Sequence, residues 1–141
     1  MPIFKPGITL EVLNKLSANT MVDHLGITYT AIGEDYLEAK MPVDHRTHQP
    51  LGLLHGGASV ALAETLGSIA AMLCLDTNLQ YGVGLEINAN HVKSVREGFV
   101  TGKVKPIHVG KKTHVWEIRI TTEKNELVCV SRITMAIIDK K

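Results

Sequence analysis

The stretch HGGASVALAETLGSIAAMLCL, residues 55–75, is dense in Ala, Leu and other strong helix formers and apolar on nearly every face, which predicts a buried helix. About 19 helical residues at 1.5 Å each give a rod of roughly 28 Å, long enough to run through the centre of a small domain. Glu64 breaks the pattern, because Ala61, Leu62, Ala63 and Leu66 surround it. An ionised carboxylate there is costly unless it is paired, hydrogen-bonded or exposed in a cleft. Ser68 lies one turn on, where its hydroxyl can reach the carboxylate or a shared water. The plainer alternative is a glutamate on a solvated helix edge.

Working outward, ITLEVLNKL (8–16) suits a short amphipathic helix that starts at Thr9 or Gly7. LGITYTAIG and DYLEAKMP alternate as two strands about a Gly33-Glu34-Asp35 turn and predict a β-hairpin. A polar loop, VDHRTHQPLG, leads into the long helix. Beyond it lie four β-like runs, near 83–95, 99–108, 112–121 and 126–138, separated by turn signals at Glu97-Gly98, Val109-Gly110 and Lys124-Asn125. These predict a long antiparallel meander. The whole, residues 1–141, reads as one α+β domain in which a curved antiparallel sheet wraps one central helix.

The chain is 45% apolar and 21% charged, a globular balance, and its net charge of +1 with interspersed signs argues against a nucleic-acid partner. Any anionic ligand must be met locally, and positive charge gathers at Lys111 and Lys112 beside Gly110 and at Lys93 with Arg96. Each is also readable as a solvated turn. The N-terminus lacks a signal-peptide pattern, so a cytosolic location is expected. Ser59, Glu64, Thr65 and Ser68 make the 58–75 region a poor membrane span. Cys74 and Cys129 read as buried free thiols. His45 and His48 have H-x-x-H spacing but no third ligand, so no metal site is expected; His24 and His114 read as surface or packing histidines. There is no G-x-S-x-G elbow and no phosphate-binding glycine loop.

His55-Gly56-Gly57 opens the long helix, where free N–H groups and the positive dipole end suit a developing oxyanion. A tight loop-to-helix entry with His55 as cap explains the same residues. Eight residues separate Gly56 from Glu64, roughly 12 Å along one helix. One carbonyl cannot touch both in a single chain. If both serve one site, a second subunit must bring its helix alongside in antiparallel fashion, creating two equivalent sites in an obligate homodimer.

QPLGLLHGGASVALAETLGS (49–68), followed by VGLEINANHVKSVREG (83–98), resembles the hotdog-fold acyl-CoA thioesterases, in the branch that acts on 4-hydroxybenzoyl-CoA, on 1,4-dihydroxy-2-naphthoyl-CoA and in proofreading for enterobactin synthesis. The resemblance spans nearly the whole chain. It implies that Glu64 is the catalytic carboxylate and that the Gly56 N–H, helped by Gln49 and His55, polarises the thioester carbonyl, with Ser68 orienting the carboxylate or water. It further implies that Gly84, His91, Val92, Lys93 and Ser94 line the acyl and pantetheine channel, and that His108, Val109, Gly110, Lys111, Lys112 and Thr113 hold the nucleotide. The implied substrate is a small-molecule acyl-CoA, aromatic in its acyl group, with coenzyme A as part of the substrate and no cofactor or membrane partner. The implied assembly is a dimer of dimers. Two rival readings on the same fold are a non-catalytic acyl-CoA sensor and a 3-hydroxyacyl thioester dehydratase using His55 or His91. Acyl selectivity is expected to depend on Met72, Leu75 and Val83.

Overall fold

The computed structural model describes residues 2–141, and its elements run α1 (Leu10–Leu16), α2 (Met21–His24), β1 (Thr28–Ile32), β2 (Leu37–Pro42), α3 (Gly56–Leu73), β3 (Gln80–His91), β4 (Phe99–Val109), β5 (Thr113–Thr122) and β6 (Leu127–Asp139). Thr9 settles the start of α1, since its hydroxyl accepts the Val12 N–H at 3.2 Å. Asn14 then clamps α1 to β1, donating to the Tyr29 carbonyl at 3.1 Å and accepting the Tyr29 N–H at 2.9 Å. Leu13 seals the contact underneath.

All strands pair antiparallel in the order β1-β2-β4-β5-β6-β3. β4, β5 and β6 form the expected meander, but β3 does not. It pairs with β6, from Gln80 opposite Asp139 to His91 opposite Cys129, and so forms the far edge. Residues 92–98 are therefore a crossover and not a hairpin turn. They are pinned as they pass the start of α3: Leu54 N–H donates to the Val95 carbonyl, Val43 N–H to the Gly98 carbonyl, and His48 Nε2 to the Arg96 carbonyl, each at 2.8 Å. These bonds reach residues remote in sequence, which a local turn signal does not report.

α3 lies in the curl of the sheet and buries Ser59, Leu62, Ala63, Leu66, Gly67, Ala70, Ala71 and Leu73. The approach is close because two side chains are missing. A Cβ at Gly67 would stand 2.5 Å from Ile133 Cγ2, and one at Gly102 would stand 2.6 Å from Leu66 Cδ1. Gly67→Ala is expected to destabilise the protein by about 1–3 kcal/mol through overpacking, despite the better helix propensity of alanine, as a denaturant titration would register.

The helix is not covered all round. Glu64 is exposed, and Ala61, Thr65, Ser68, Ile69 and Met72 are half-buried along the same open stripe. By length and composition alone α3 could cross a bilayer, contrary to the sequence expectation, yet eight of its residues are committed to the core. Cys74 is half-buried and Cys129 buried, both as free thiols.

Burial pushes the Tyr29 phenol from 10.0 up to about 12, against a smaller opposing effect of its hydrogen bond with Ser17, and the Cys74 thiol from 9.0 up to about 11. Both ionise more readily in the unfolded chain. Their contribution is complete below the unfolded values and is lost as pH climbs through the folded ones. The unfolding free energy is expected to fall between about pH 9 and pH 12, and Tyr29→Phe to flatten the upper part of that fall, as measured by urea titrations across the range.

Candidate active site

Helix α3 carries both of the residues expected to flank the thioester, Gly56 at its start and Glu64 near its middle. At its start, His55 has extended backbone angles (φ −69°, ψ 130°) and caps the helix, its Nδ1 accepting the Gly57 N–H at 2.7 Å. That bond places the proton of the neutral ring on Nε2. Ala58 and Ser59 N–H groups both return to the His55 carbonyl. Gly56 is left as the helix's first amide with no partner among the described residues. The His91 ring lies over it, so that a Cβ at Gly56 would meet His91 Nε2 at 3.0 Å.

Around this amide the fold gathers Gln49, Gly56, His91, Val92, Lys93 and Ser94 on one groove of about 390 Å³. Most of the residues predicted on that side thus meet. Two have other duties: the Gln49 side-chain oxygen accepts the Leu51 N–H and, at 3.5 Å, the Leu53 N–H, bracing its own turn, while Lys93 Nζ sits 3.3 Å from Glu126. His55 acts as a cap, the plainer of its two sequence readings.

Glu64 opens onto a different groove, of about 440 Å³, between the α1–α2 segment and α3. Its carboxylate has no hydrogen bond or ion pair with any described residue, and a Cβ on Gly84 would lie 2.9 Å from Glu64 Oε2. Gly84 is therefore the strand position that leaves room for the carboxylate. Ser68 lines the same groove but makes no bond to Glu64. Sequence reasoning missed the groove's other wall, including Leu13, Leu16, Ser17, Met21 and Tyr29. A visible signal existed in ITLEVLNKL, whose Val12 and Leu16 remain exposed beside the buried Leu13. Met72 and Leu75 line a further groove, and Val83 is exposed on β3, so within one chain none of the three lines the groove that holds Glu64.

His108, Val109, Gly110, Lys111, Lys112 and Thr113 form the β4–β5 turn, closed by Gly110 N–H donating to the Thr113 carbonyl at 2.9 Å. That amide is engaged and not open to a phosphate, whereas Lys111 and Lys112 are exposed without an ion pair among the described residues. The turn stands in the row of Ala136 and Val83, while His91 stands in the row of Cys129. Seven residues of β6 separate the rows, roughly 23 Å of strand, so one chain does not bring the turn to the His91 groove. His45 and His48 diverge, His45 toward Asp44 at 4.0 Å and His48 to Arg96. His24 is exposed. His114 is buried edge-on to Trp116, and burial, with His108 nearby, holds it below its ordinary value.

A six-stranded antiparallel sheet curled round one long helix is the hotdog fold. Residues 51–129 match the thioesterase superfamily model. A 1,4-dihydroxy-2-naphthoyl-CoA hydrolase of Escherichia coli is 57% identical over 136 residues, covering 96% of this chain and 99% of that one. A thioesterase crystal structure from Haemophilus influenzae superposes with a TM-score of 0.94 at 55% identity, covering 97% of this chain and 95% of the other. A mutant thioesterase from Pseudomonas aeruginosa does so with a TM-score of 0.96 at 48% identity, covering 98% and 99%. The chain belongs to the thioesterase superfamily, and it is a thioester hydrolase.

Proposed function

We propose that the protein hydrolyses acyl-CoA thioesters as a homodimer, each site joining the Gly56 N–H of one chain to the partner's Glu64. One observation carries this: the two groups open onto separate grooves of a single chain, Gly56 against His91 and Glu64 against Gly84, toward opposite ends of β3. β3 is an unpaired edge of 12 residues with Tyr81, Val83 and Leu85 exposed, a template for another strand. Two copies of β3 related by a two-fold axis run antiparallel. With the axis near Ile87 and Asn88, the His91 end of one strand lies beside the partner's Gly84, and Gly56 comes to the partner's Glu64. The same operation brings the partner's β4–β5 turn, with its two unpaired lysines, toward the His91 groove, where a nucleotide's phosphates would find them.

In that site the thioester carbonyl oxygen accepts the Gly56 N–H, and the helix dipole favours the negative charge that develops on it. Glu64 then follows one of two routes. It attacks the carbonyl carbon and expels the CoA thiolate, leaving a mixed anhydride that water opens, or it takes a proton from the water that attacks directly. Turnover in ¹⁸O-water tests the first route: label found in Glu64 supports an anhydride that water opens at the Glu64 carbonyl, and unlabelled Glu64 places the attack of water on the acyl carbon. Resemblance to the naphthoyl-CoA hydrolase supports an aromatic acyl group, and two free thiols suit a reducing cytosol.

Thiol release from benzoyl-CoA tests the reading. Release that disappears in Glu64→Ala supports it. Binding without release would favour a sensor, and loss of water from a 3-hydroxyacyl-CoA with the thioester intact would favour a dehydratase. A stable, fully active monomer in sedimentation would overturn the shared site.

A further inference from the structure

We infer that Ser59 is a further catalytic residue, whose hydroxyl gives the thioester carbonyl oxygen a second hydrogen bond beside that of the Gly56 N–H. The inference rests on the Gly56 amide as a donor to that oxygen and adds the group that shares its role.

The buried serine and threonine side chains among the described residues are Ser17, Thr47, Ser59 and Ser131. Three of these hydroxyls donate to a backbone carbonyl: Ser17 to Leu13 at 3.4 Å, Thr47 to Pro42 at 2.8 Å and Ser131 to Asn88 at 2.8 Å. Ser59 is 1% exposed, and its hydroxyl has no hydrogen-bond partner among the described residues. A serine within a helix commonly bonds back to the carbonyl four residues earlier. Here that carbonyl belongs to His55 and already accepts the Ala58 and Ser59 N–H groups, at 3.0 and 3.2 Å. Ser59 also lies on the core stripe of α3 with Leu62, Ala63 and Leu66, where alanine would fill the place without stranding a hydroxyl.

The groove of about 390 Å³ that holds Gly56 and His91 is also lined by Ser59. Ser59 stands three residues beyond Gly56, roughly 4.5 Å along the axis and on nearly the same face. Side chains on a helix lean toward its N-terminus, so Ser59 reaches back over the turn that Gly56 opens. An unpaired N–H and an unpaired O–H therefore face one space. A carbonyl oxygen has two lone pairs, and the negative charge that builds on it as the thioester carbon is attacked strengthens both bonds. Ser59 keeps its proton throughout, because it donates a hydrogen bond and exchanges no covalent bond. Gln49 borders the groove too, but its side-chain oxygen is committed to the Leu51 and Leu53 N–H groups, which leaves only its amino group for the substrate.

Thiol release from benzoyl-CoA by Ser59→Ala is the first test. The kcat is expected to fall about tenfold to a hundredfold with KM within about twofold, because the bond strengthens as charge develops in the transition state. The melting temperature is expected to hold or rise, since no hydrogen bond within the protein is lost. A lower melting temperature with kcat within about twofold of wild type would make Ser59 a structural residue and overturn the inference. The second test reads the contact itself, through the infrared carbonyl stretch of benzoyl-CoA labelled with ¹³C at its carbonyl and bound to Glu64→Gln, in which the thioester persists. Adding Ser59→Ala is expected to raise the frequency, and so is adding Gly56→Pro, because each removes a donor. A frequency moved by Gly56→Pro and not by Ser59→Ala strikes out Ser59 alone. A frequency that Gly56→Pro leaves unchanged removes the Gly56 donor on which the inference rests.

Discussion

Glu64→Gln is expected to lower kcat for benzoyl-CoA hydrolysis by about 10²–10⁴ while leaving the melting temperature unchanged. The two halves of this result have separate causes. Glutamine keeps the size of the side chain, so the close fit against Gly84 survives, but it can neither attack a carbonyl nor accept a proton from water at neutral pH. Stability is spared because the carboxylate is exposed and holds no hydrogen bond or ion pair with any described residue. A glutamate that merely solvates a helix edge would show no loss of kcat on this substitution. Thiol release and a thermal melt on the same preparation read both quantities, and full activity in the variant would remove Glu64 from the mechanism.

Gly56→Pro is expected to cost about 10²–10³ in kcat, whereas Gly56→Ala costs far less. Proline is tolerated at the first position of a helix, and His55 already has the extended backbone that a following proline requires. The substitution therefore deletes one N–H, the amide with no partner, and keeps the helix. Alanine adds the same Cβ contact with the His91 ring but retains the N–H, so the difference between the two variants isolates the donor from crowding at His91. Equal losses would place the cause in the ring contact. Because the two groups come from different chains in the proposed site, mixing Gly56→Pro with Glu64→Gln under conditions of subunit exchange is expected to restore about a quarter of wild-type activity, since half the dimers are mixed and each has one intact site. No recovery would place both groups in one chain.

The long helix and its glutamate were legible because their signals are local: a run of helix formers sets the helix, and one carboxylate among aliphatic residues stands out. The same holds for the β4–β5–β6 meander, whose turns join neighbours in sequence. The place of β3 was not legible. Its run ends near a Glu97-Gly98 turn signal, but Leu54, Val43 and His48 bind residues 92–98 and carry them across the sheet. Lys93 shows the same limit within the site, since its side chain is held by Glu126, a partner that its own neighbourhood does not name.

By itself the sequence determined that a carboxylate-bearing helix would lie in a curved antiparallel sheet and that Gly56 and Glu64 stand too far apart on that helix to share a carbonyl within one chain. Periodicity, helix rise and the cost of a buried charge are properties of the covalent chain and need no contacts. Only the tertiary structure decided that α3 keeps an open face, that Gly56 retains the unpaired amide once His55 caps Gly57, and that α1 supplies the other wall of the Glu64 groove. The open face and the α1 wall depend on which distant residues meet, and such meetings are set by the packing of the whole sheet, whereas the cap that leaves the Gly56 amide over is a local choice between two ring roles.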